Sequence, residues 1–240
     1  MLGMAAALPP FLAETAVLTN VLVIALVAWA IHLTVQSLKW PQTQRNYVFG
    51  FSVAILAGWF VTAYFMAQTG FFQGTTFLFP HISLLFLPLI LGLWLVFSDR
   101  FETILPALPL ALIFGIQTFR LLGWYFLDLH ARGLMPAEFA FPSGYGDIFI
   151  GLTAPVVAYA WYAKKPYAKK LALAWNALGL VDLGMAIVLG FFTSPTPYQQ
   201  FAFDLPNSLL FAFPLALIPT FAVPLSILLH AASLRALLRA

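Results

Sequence analysis

Residues 139–155 read FAFPSGYGDIFIGLTAP, and this stretch changes from polar to apolar within one short segment. It begins with a Pro-Ser-Gly turn, places Asp147 just beyond it, and continues into apolar sequence that is typical of a membrane helix. The pattern predicts an outer loop that leads into a helix, with Ser143 as the N-cap. Asp147 would then lie in the first turn, where a helix N-terminus favours negative charge.

The composition extends this interpretation to the whole chain. Its 240 residues are 62% hydrophobic and 8% charged, with a mean hydropathy of +0.95, whereas roughly a quarter of the residues of a soluble protein are charged. A bilayer core requires about 20 apolar residues per helix, so the length allows about seven spans. The absence of cysteine excludes disulfides, iron–sulfur clusters and thiol catalysis.

Apolar runs separated by short polar segments predict an all-α transmembrane bundle of about seven helices, formed by residues 1–240 as a single domain. The predicted spans lie near 15–38, 47–68, 81–98, 103–130, 144–163, 170–192 and 206–234. The last of them contains four prolines, so it cannot be a straight helix. It is either a kinked packing helix or a discontinuous helix that lines a cavity.

Basic residues predict the orientation of the bundle. Most of them fall in the connections after the first, third and fifth spans or at the C-terminus: Lys39, Arg45, Arg100, Lys164, Lys165, Lys169, Lys170, Arg235 and Arg239. The positive-inside rule therefore places the N-terminus outside and the C-terminus inside. The net charge of +3 is then a topology signal and gives no indication of nucleic acid binding.

Ionisable side chains within the spans are few, and each costs several kcal/mol in a bilayer unless it has a partner. The depth of Arg120 predicts that it pairs with Asp147 or with Asp182. One arginine cannot neutralise both acids, so the second carboxylate is left for a proton, water, a metal or a ligand. This surplus carboxylate is the strongest indication of function in the sequence.

We therefore expect an outward-facing polar pocket inside the outer half of the bundle, which binds a small or lipid-soluble ligand such as a lipid, a quinone or a pigment. Its candidate residues are the polar side chains of the later spans: Arg120, Asp147, Asp182, Gln117, Asn176, Tyr145, Asp128 and Asn207. A buried network that only fixes helix register explains the same residues. The two interpretations remain open at this stage.

The histidines suggest a second class of site. His81 and His130 lie at the outer ends of their spans, and His32 and His230 lie toward the inner ends. Two histidines per leaflet are compatible with haem or a metal, although no pair has the i, i+4 spacing of a preformed metal site. A haem-binding redox subunit, a proton-coupled transporter and a structural or accessory subunit of a membrane complex are therefore alternatives, and enzymatic activity is undecided.

Two resemblances to known families fail at specific residues. PSGY at 142–145 is similar to the PSGH element of the membrane phosphatidic-acid phosphatase superfamily, but Tyr145 replaces its histidine and the other two motifs of that family are missing. The helix count resembles that of the microbial rhodopsins, but the seventh predicted span contains no lysine that could form a retinal Schiff base.

Three segments together resemble a family of uncharacterised bacterial multipass membrane proteins. They are FRLLGWYFLDLHARGLMPAEFAFPSGYGDIFIGLTAP (119–155), WNALGLVDLGMAIVLG (175–190) and PLALIPTFAVPLSILLHAASL (214–234). The resemblance covers the second half of the chain better than the first. It implies a bacterial inner-membrane location, and it implies no activity and no functional residue.

Overall fold

The computed structural model describes residues 8–73 and 79–239, and within these ranges the chain forms helices and turns without a strand. The α-helices are α1 (Leu12–Ser37), α2 (Gln42–Gln68), α3 (Phe79–Phe97), α4 (Asp99–Glu102), α5 (Leu110–Ile116), α6 (Trp124–Ala131), α7 (Ala137–Tyr162), α8 (Ala168–Thr193) and α9 (Val223–Arg239). Short 3₁₀ helices span Leu105–Ala107, Gln117–Gly123 and Ser208–Phe211, and a π-helix spans Ile218–Ala222. The predicted all-helical fold class is confirmed.

Within the described ranges, five helices are long and apolar enough to cross a membrane. They are Leu12–Ser37, Gln42–Gln68, Leu110–Ala131, Ala168–Thr193 and Ile218–Arg239. Ser83–Phe97 and Asp99–Ala107 add a sixth if this pair, bent by 64°, is counted as one span. The 26-residue α7 has the required length but is not among these helices, so length and hydropathy show fewer than the predicted seven spans.

The outward face of α7 is nevertheless apolar. Exposed large hydrophobic side chains recur every three or four residues, as expected for one face of a helix, and include Phe141, Tyr145, Phe149, Leu152, Val156 and Tyr159. The opposite face contains Ser143 and Gly144, which are buried. The small and polar residues that lower the hydropathy of α7 therefore lie mainly against the rest of the protein.

The start of α7 differs from the sequence prediction. The helix begins after Pro136. The fixed φ of this proline and the acidic Glu138 in the first turn both favour a helix start there. Ser143 is inside the helix and is not the N-cap. Asp147 follows Ala137 by ten residues, which is about 15 Å along the axis. It therefore lies deep in the helix and not in its first turn.

The fourth predicted span is divided into α5, a 3₁₀ segment and α6. The 3₁₀ segment, Gln117–Gly123, approaches α7 backbone to backbone because glycines line the contact. A Cβ on Gly123 would lie 2.5 Å from the Cβ of Asp147, and a Cβ on Gly151 would lie 2.7 Å from the backbone nitrogen of Leu121. This close contact brings the middle of the fourth span against the middle of α7.

The last predicted span is broken, as its prolines predict. A 3₁₀ helix and a π-helix precede the regular helix that begins at Val223. Pro224 has no N–H group, so it removes the usual helical partner of the Thr220 carbonyl. The indole Nε1 of Trp59, on α2, donates a hydrogen bond to that carbonyl at 2.9 Å. A neighbouring helix therefore satisfies the carbonyl that the proline leaves free.

At the opposite end of α9, Arg235 joins this helix to the bend between α3 and α4. Its guanidinium donates hydrogen bonds to the carbonyl oxygens of Val96 and Ser98. Glu102 of α4 pairs with Nη1 of Arg239 at 3.1 Å. The bend after the third span and the C-terminus therefore share one end of the bundle, as the pattern of basic residues predicts.

Candidate functional site

Arg120 is the centre of a buried polar cluster formed by four helical segments. Only 3% of its surface is exposed. Nε donates to Oδ1 of Asp147 on α7 at 2.6 Å, and Nη2 donates to Oδ2 of Asp182 on α8. Nη1 lies 3.4 Å from Nε2 of His230 on α9. Each nitrogen of the guanidinium therefore contacts a different helix.

The 3₁₀ conformation of residues 117–123 places Gln117 directly in line with Arg120, because residues three apart eclipse each other in this helix. Gln117 is buried, and its side chain exchanges two hydrogen bonds with Ser226. The hydroxyl of Ser226 donates to Oε1 of Gln117, and Nε2 of Gln117 donates to the carbonyl of Ser226 at 3.3 Å. This pair fixes the 3₁₀ segment against α9 next to the arginine.

The hydrogen bonds around His230 determine its tautomer. Nδ2 of Asn176 donates to the carbonyl of Ala172 at 2.8 Å, so Oδ1 of Asn176 is the atom that faces His230 and Ser233. Nδ1 of His230 is 2.9 Å from this oxygen and must donate to it. Arginine can only donate, so Nε2 of His230 accepts from Arg120. We infer a neutral imidazole with its hydrogen on Nδ1.

Two glycines create the space that the cluster occupies. A Cβ on Gly146 would lie 1.7 Å from Oδ1 of Asp182, and a Cβ on Gly179 would lie 2.5 Å from Nε2 of His230. Both side chains therefore fill positions that any residue larger than glycine would block. Gly146 is on α7 and Gly179 is on α8, so small residues on both helices permit close contacts joined by hydrogen bonds.

The cluster has more negative than positive groups. Arg120 supplies one positive charge and contacts two carboxylates, and the tautomer of His230 leaves that imidazole neutral. Among the described residues, no second basic side chain forms an ion pair with Asp147 or Asp182. If both acids are ionised, the cluster carries one negative charge that no protein group balances.

Asp147 also borders two cavities. One has a volume of about 70 Å³ and is lined by Arg120, Ser226 and Asn20 among apolar residues. The other has a volume of about 300 Å³, and its lining by described residues is apolar apart from Asp147 and Ser194. In the described part of the chain, only Oδ1 of Asp147 has a hydrogen-bond partner, so Oδ2 has none in a residue that lines both cavities.

The broken last span lines both cavities. Ile218, the first residue of the π-helix, and Val223, which follows it, border both cavities, as do Phe126 and Leu183. Of the two interpretations of the proline-rich span, the structure therefore favours a discontinuous helix at a cavity. At the rim of the larger cavity, Phe86 of α3 and Val188 of α8 are 38% and 49% exposed. The cavity therefore opens between α3 and α8 on the outer surface of the bundle.

Three candidate residues lie apart from the cluster. Tyr145 is 61% exposed and stacks on Phe141, on the outward face of α7. Asp128 pairs with Arg132 at 3.1 Å, one turn along the chain. Asn207 is fully buried, and its side-chain atoms have no partner among the described residues. Asp128 does not continue the face formed by Gln117 and Arg120, because the 3₁₀ segment changes the angular spacing of the residues.

Most of the sequence, including the residues of the Arg120 cluster, matches one known family. Residues 77–238 match a family that is described as a domain of unknown function, DUF8737. The chain belongs to this family. A search of the curated proteins and of the solved structures gives no match. The DUF8737 region contains every member of the Arg120 cluster, whereas α1 and α2 precede it.

The histidines of the chain do not form a common site in the described residues. His32 lies between the rings of Trp29 and Phe49, at centroid distances of 5.6 and 5.5 Å. His130, within the DUF8737 region, has Nδ1 2.9 Å from the carbonyl of Met135. His81 lies outside the residues whose side chains the structure describes. The described residues contain no group of three or more side chains arranged as metal ligands.

His230, which the sequence suggested as a possible haem or metal ligand, belongs to the polar cluster in the structure. Both of its ring nitrogens already have partners, Asn176 and Arg120, so neither is free for an iron or another metal. The sequence prediction did not assign Ser226, His230 and Ser233 to the cluster. Their spacing of four and three residues is the signal that was available, because it places all three on one face of a helix.

Proposed function

We propose that this member of the DUF8737 family is a bacterial inner-membrane protein with seven spans that binds a lipid-soluble ligand in the large cavity beside Arg120, Asp147 and Asp182. One observation carries the proposal: the free Oδ2 of Asp147 lies where an apolar cavity of about 300 Å³ meets the polar cluster. Ligand sites in proteins are commonly apolar cavities of this size with a few polar groups that orient the ligand.

The seven proposed spans comprise the six supported by length and hydropathy together with α7. The exposed face of α7 is apolar and its polar residues face inward, which suits a helix in contact with both lipid and a polar interior. With the N-terminus outside, the bend at residues 98–107 and the end of α9 both lie inside, where the positive-inside rule expects their arginines.

The opening of the large cavity supports a ligand that arrives from the lipid. Phe86 and Val188 at its rim are on the outward surfaces of α3 and α8, which contact lipid if these helices span the membrane. Aromatic rings form much of the lining of this cavity. They belong to the phenylalanines Phe86, Phe126, Phe139, Phe191, Phe192 and Phe211. Such a lining favours an apolar body over a polar solute.

Ligand retention tests the proposal. The protein is purified in lipid nanodiscs, and native mass spectrometry detects small molecules that remain bound. Ala186→Phe fills the large cavity without altering the charged cluster, and Val181→Phe adds the same ring to the exposed face of the same helix. We expect a bound molecule in the wild type and in Val181→Phe but not in Ala186→Phe. Equal retention in both variants would contradict the proposal.

Proton-coupled transport is a second candidate, which the hydrogen bonds on the inner side of Arg120 favour. Arg120, His230, Asn176 and Ser233 form a continuous hydrogen-bonded chain that extends from the two acids along α8 and α9. Chains of ionisable and polar groups inside a bundle mark proton pathways in many transporters. Flux into proteoliposomes tests this candidate, and an unchanged flux in Asp182→Asn would exclude it.

A further inference from the structure

We propose that the ligand of the large cavity is an apolar molecule with a cationic amine head, which donates a hydrogen bond to the free Oδ2 of Asp147. This inference rests on the proposed ligand-binding function and adds the chemical class of the ligand. It follows from the hydrogen-bonding groups that the cavity offers, from the charge of the Arg120 cluster and from the volume of the cavity.

Among the described residues, the side chains that line the large cavity offer acceptors and no free donor while Asp147 is ionised. Asp147 and Ser194 are the polar side chains of its lining. The hydroxyl of Ser194 donates to the carbonyl of Gly190 at 2.6 Å, so its hydrogen is already used. An ionised Asp147 can only accept. A ligand head that meets these groups must therefore bring the donor itself.

With Asp147 ionised, a ligand head that only accepts hydrogen bonds finds no donor among the described side chains that line this cavity. Arg120 is the donor nearest to Asp147, but it is 3% exposed and does not line the large cavity. Its three nitrogens already face Asp147, Asp182 and His230. A fatty-acid carboxylate, a phosphate or a quinone carbonyl would therefore lie beside Asp147 without a compensating hydrogen bond, which is costly in an apolar site.

Charge favours an amine over an uncharged donor such as an alcohol. The cluster carries one negative charge more than Arg120 balances when both acids are ionised. A cationic head at Oδ2 of Asp147 makes the site neutral, and neutral sites are far less costly in a membrane interior. The phenylalanine rings of the lining add faces that attract a cation as well as an apolar body.

The volume limits the part of the ligand that is enclosed. At about 30 Å³ for a water-sized group, the cavity of about 300 Å³ encloses on the order of ten non-hydrogen atoms. A longer chain would continue through the opening between Phe86 and Val188 into the lipid. The ligand is therefore a hydrophobic amine, and the cavity encloses its head and the adjoining part of its apolar body.

Three probes of equal chain length test the head group: decylamine, 2-decanone and sodium decanoate. Each is titrated into the full-length protein in nanodiscs of neutral phosphatidylcholine, and the thermal stabilisation is measured. Ala186→Phe fills the cavity, so the stabilisation of this variant by a probe reports partition of the probe into lipid. This value is subtracted from the stabilisation of the wild type. We expect decylamine to bind at least about tenfold more tightly than the other two probes, and this preference to disappear in Asp147→Asn but not in Asp128→Asn.

The outcomes separate this inference from the proposed function. If 2-decanone or decanoate binds as tightly as decylamine in an Ala186-dependent manner, the cavity binds ligands but the amine assignment is wrong. If none of the probes gives Ala186-dependent binding, both proposals fail. If Asp147→Asn does not fold, the order of the three affinities in the wild type still decides the assignment.

Discussion

The carboxylate of Asp182 occupies the space that a side chain on Gly146 would require. A Cβ at position 146 would lie 1.7 Å from Oδ1 of Asp182, so no other residue fits there while Asp182 stays bound to Arg120. The polar cluster of this protein is therefore specified by glycines as much as by charged residues. The same relation holds between Gly179 and the imidazole of His230.

Gly146→Ala is expected to lower the free energy of unfolding by about 1–3 kcal/mol, the usual cost of overpacking a buried contact. The added methyl group displaces the carboxylate of Asp182 from Arg120. Thermal unfolding in detergent measures the effect. Gly184→Ala is the matched control, because a Cβ there meets nothing within 4 Å and alanine has the higher helix propensity. A similar loss in both variants would contradict the predicted role of Gly146.

The loss of stability is expected to be much larger when both acids are neutralised than when either acid is neutralised alone. Asp147→Asn or Asp182→Asn leaves one carboxylate for Arg120, so each single variant retains a charge-balanced pair. The double variant leaves a buried guanidinium without an anion, at a cost of about 3–5 kcal/mol. The yield of folded protein and its thermal unfolding measure the effect. If the double variant is no less stable than the sum of the two single effects predicts, this charge balance is wrong.

Trp59→Phe is expected to destabilise the broken last span. The substitution keeps the aromatic contact with Phe221 but removes the donor that satisfies the Thr220 carbonyl. An unsatisfied buried carbonyl costs about 1–3 kcal/mol. Trp94→Phe, on the exposed face of α3, is the control and should have little effect. Equal unfolding temperatures for the two variants would show that the indole hydrogen bond does not stabilise the break.

The ionisable residues of the cluster were predictable because a buried charge needs a partner. The sequence predicts that Arg120 pairs with Asp147 or Asp182, and the structure contains both pairs. His230 was predicted near the inner end of a continuous span. Because residues 206–217 form no regular α-helix, the regular last span is shorter. His230 therefore lies closer to the middle of that span and beside Arg120.

The start of α7 was not predictable from its turn-forming residues. Pro142, Ser143 and Gly144 are typical of a loop, yet all three lie inside a helix. Close packing decides the conformation here, since a Cβ on Gly144 would lie 2.8 Å from a methyl group of Leu127. Tertiary contacts thus override local preference at the contact that positions Asp147, and a single sequence contains no direct signal of such contacts.

The proposed topology is testable because the chain contains no cysteine. Gln200→Cys and Lys164→Cys each introduce one thiol at an exposed position, in the connections after α8 and α7 respectively. We expect a membrane-impermeant maleimide to label Gln200→Cys in intact cells and to label Lys164→Cys only after lysis. The opposite pattern would reverse the orientation, and labelling of both from one side would contradict a membrane crossing by α8, the helix between the two positions.

The tautomer of His230 bears on the charge of the whole site. The contacts with Asn176 and Arg120 require a hydrogen on Nδ1 and a free electron pair on Nε2. Nitrogen-15 NMR of histidine-labelled protein should therefore show one pyrrole-type and one pyridine-type nitrogen, and His230→Gln assigns the signals by removing them. Two protonated nitrogens would make His230 a second cation beside Arg120. Such an imidazolium would balance the surplus carboxylate, and the cavity would then have no need of a cationic ligand.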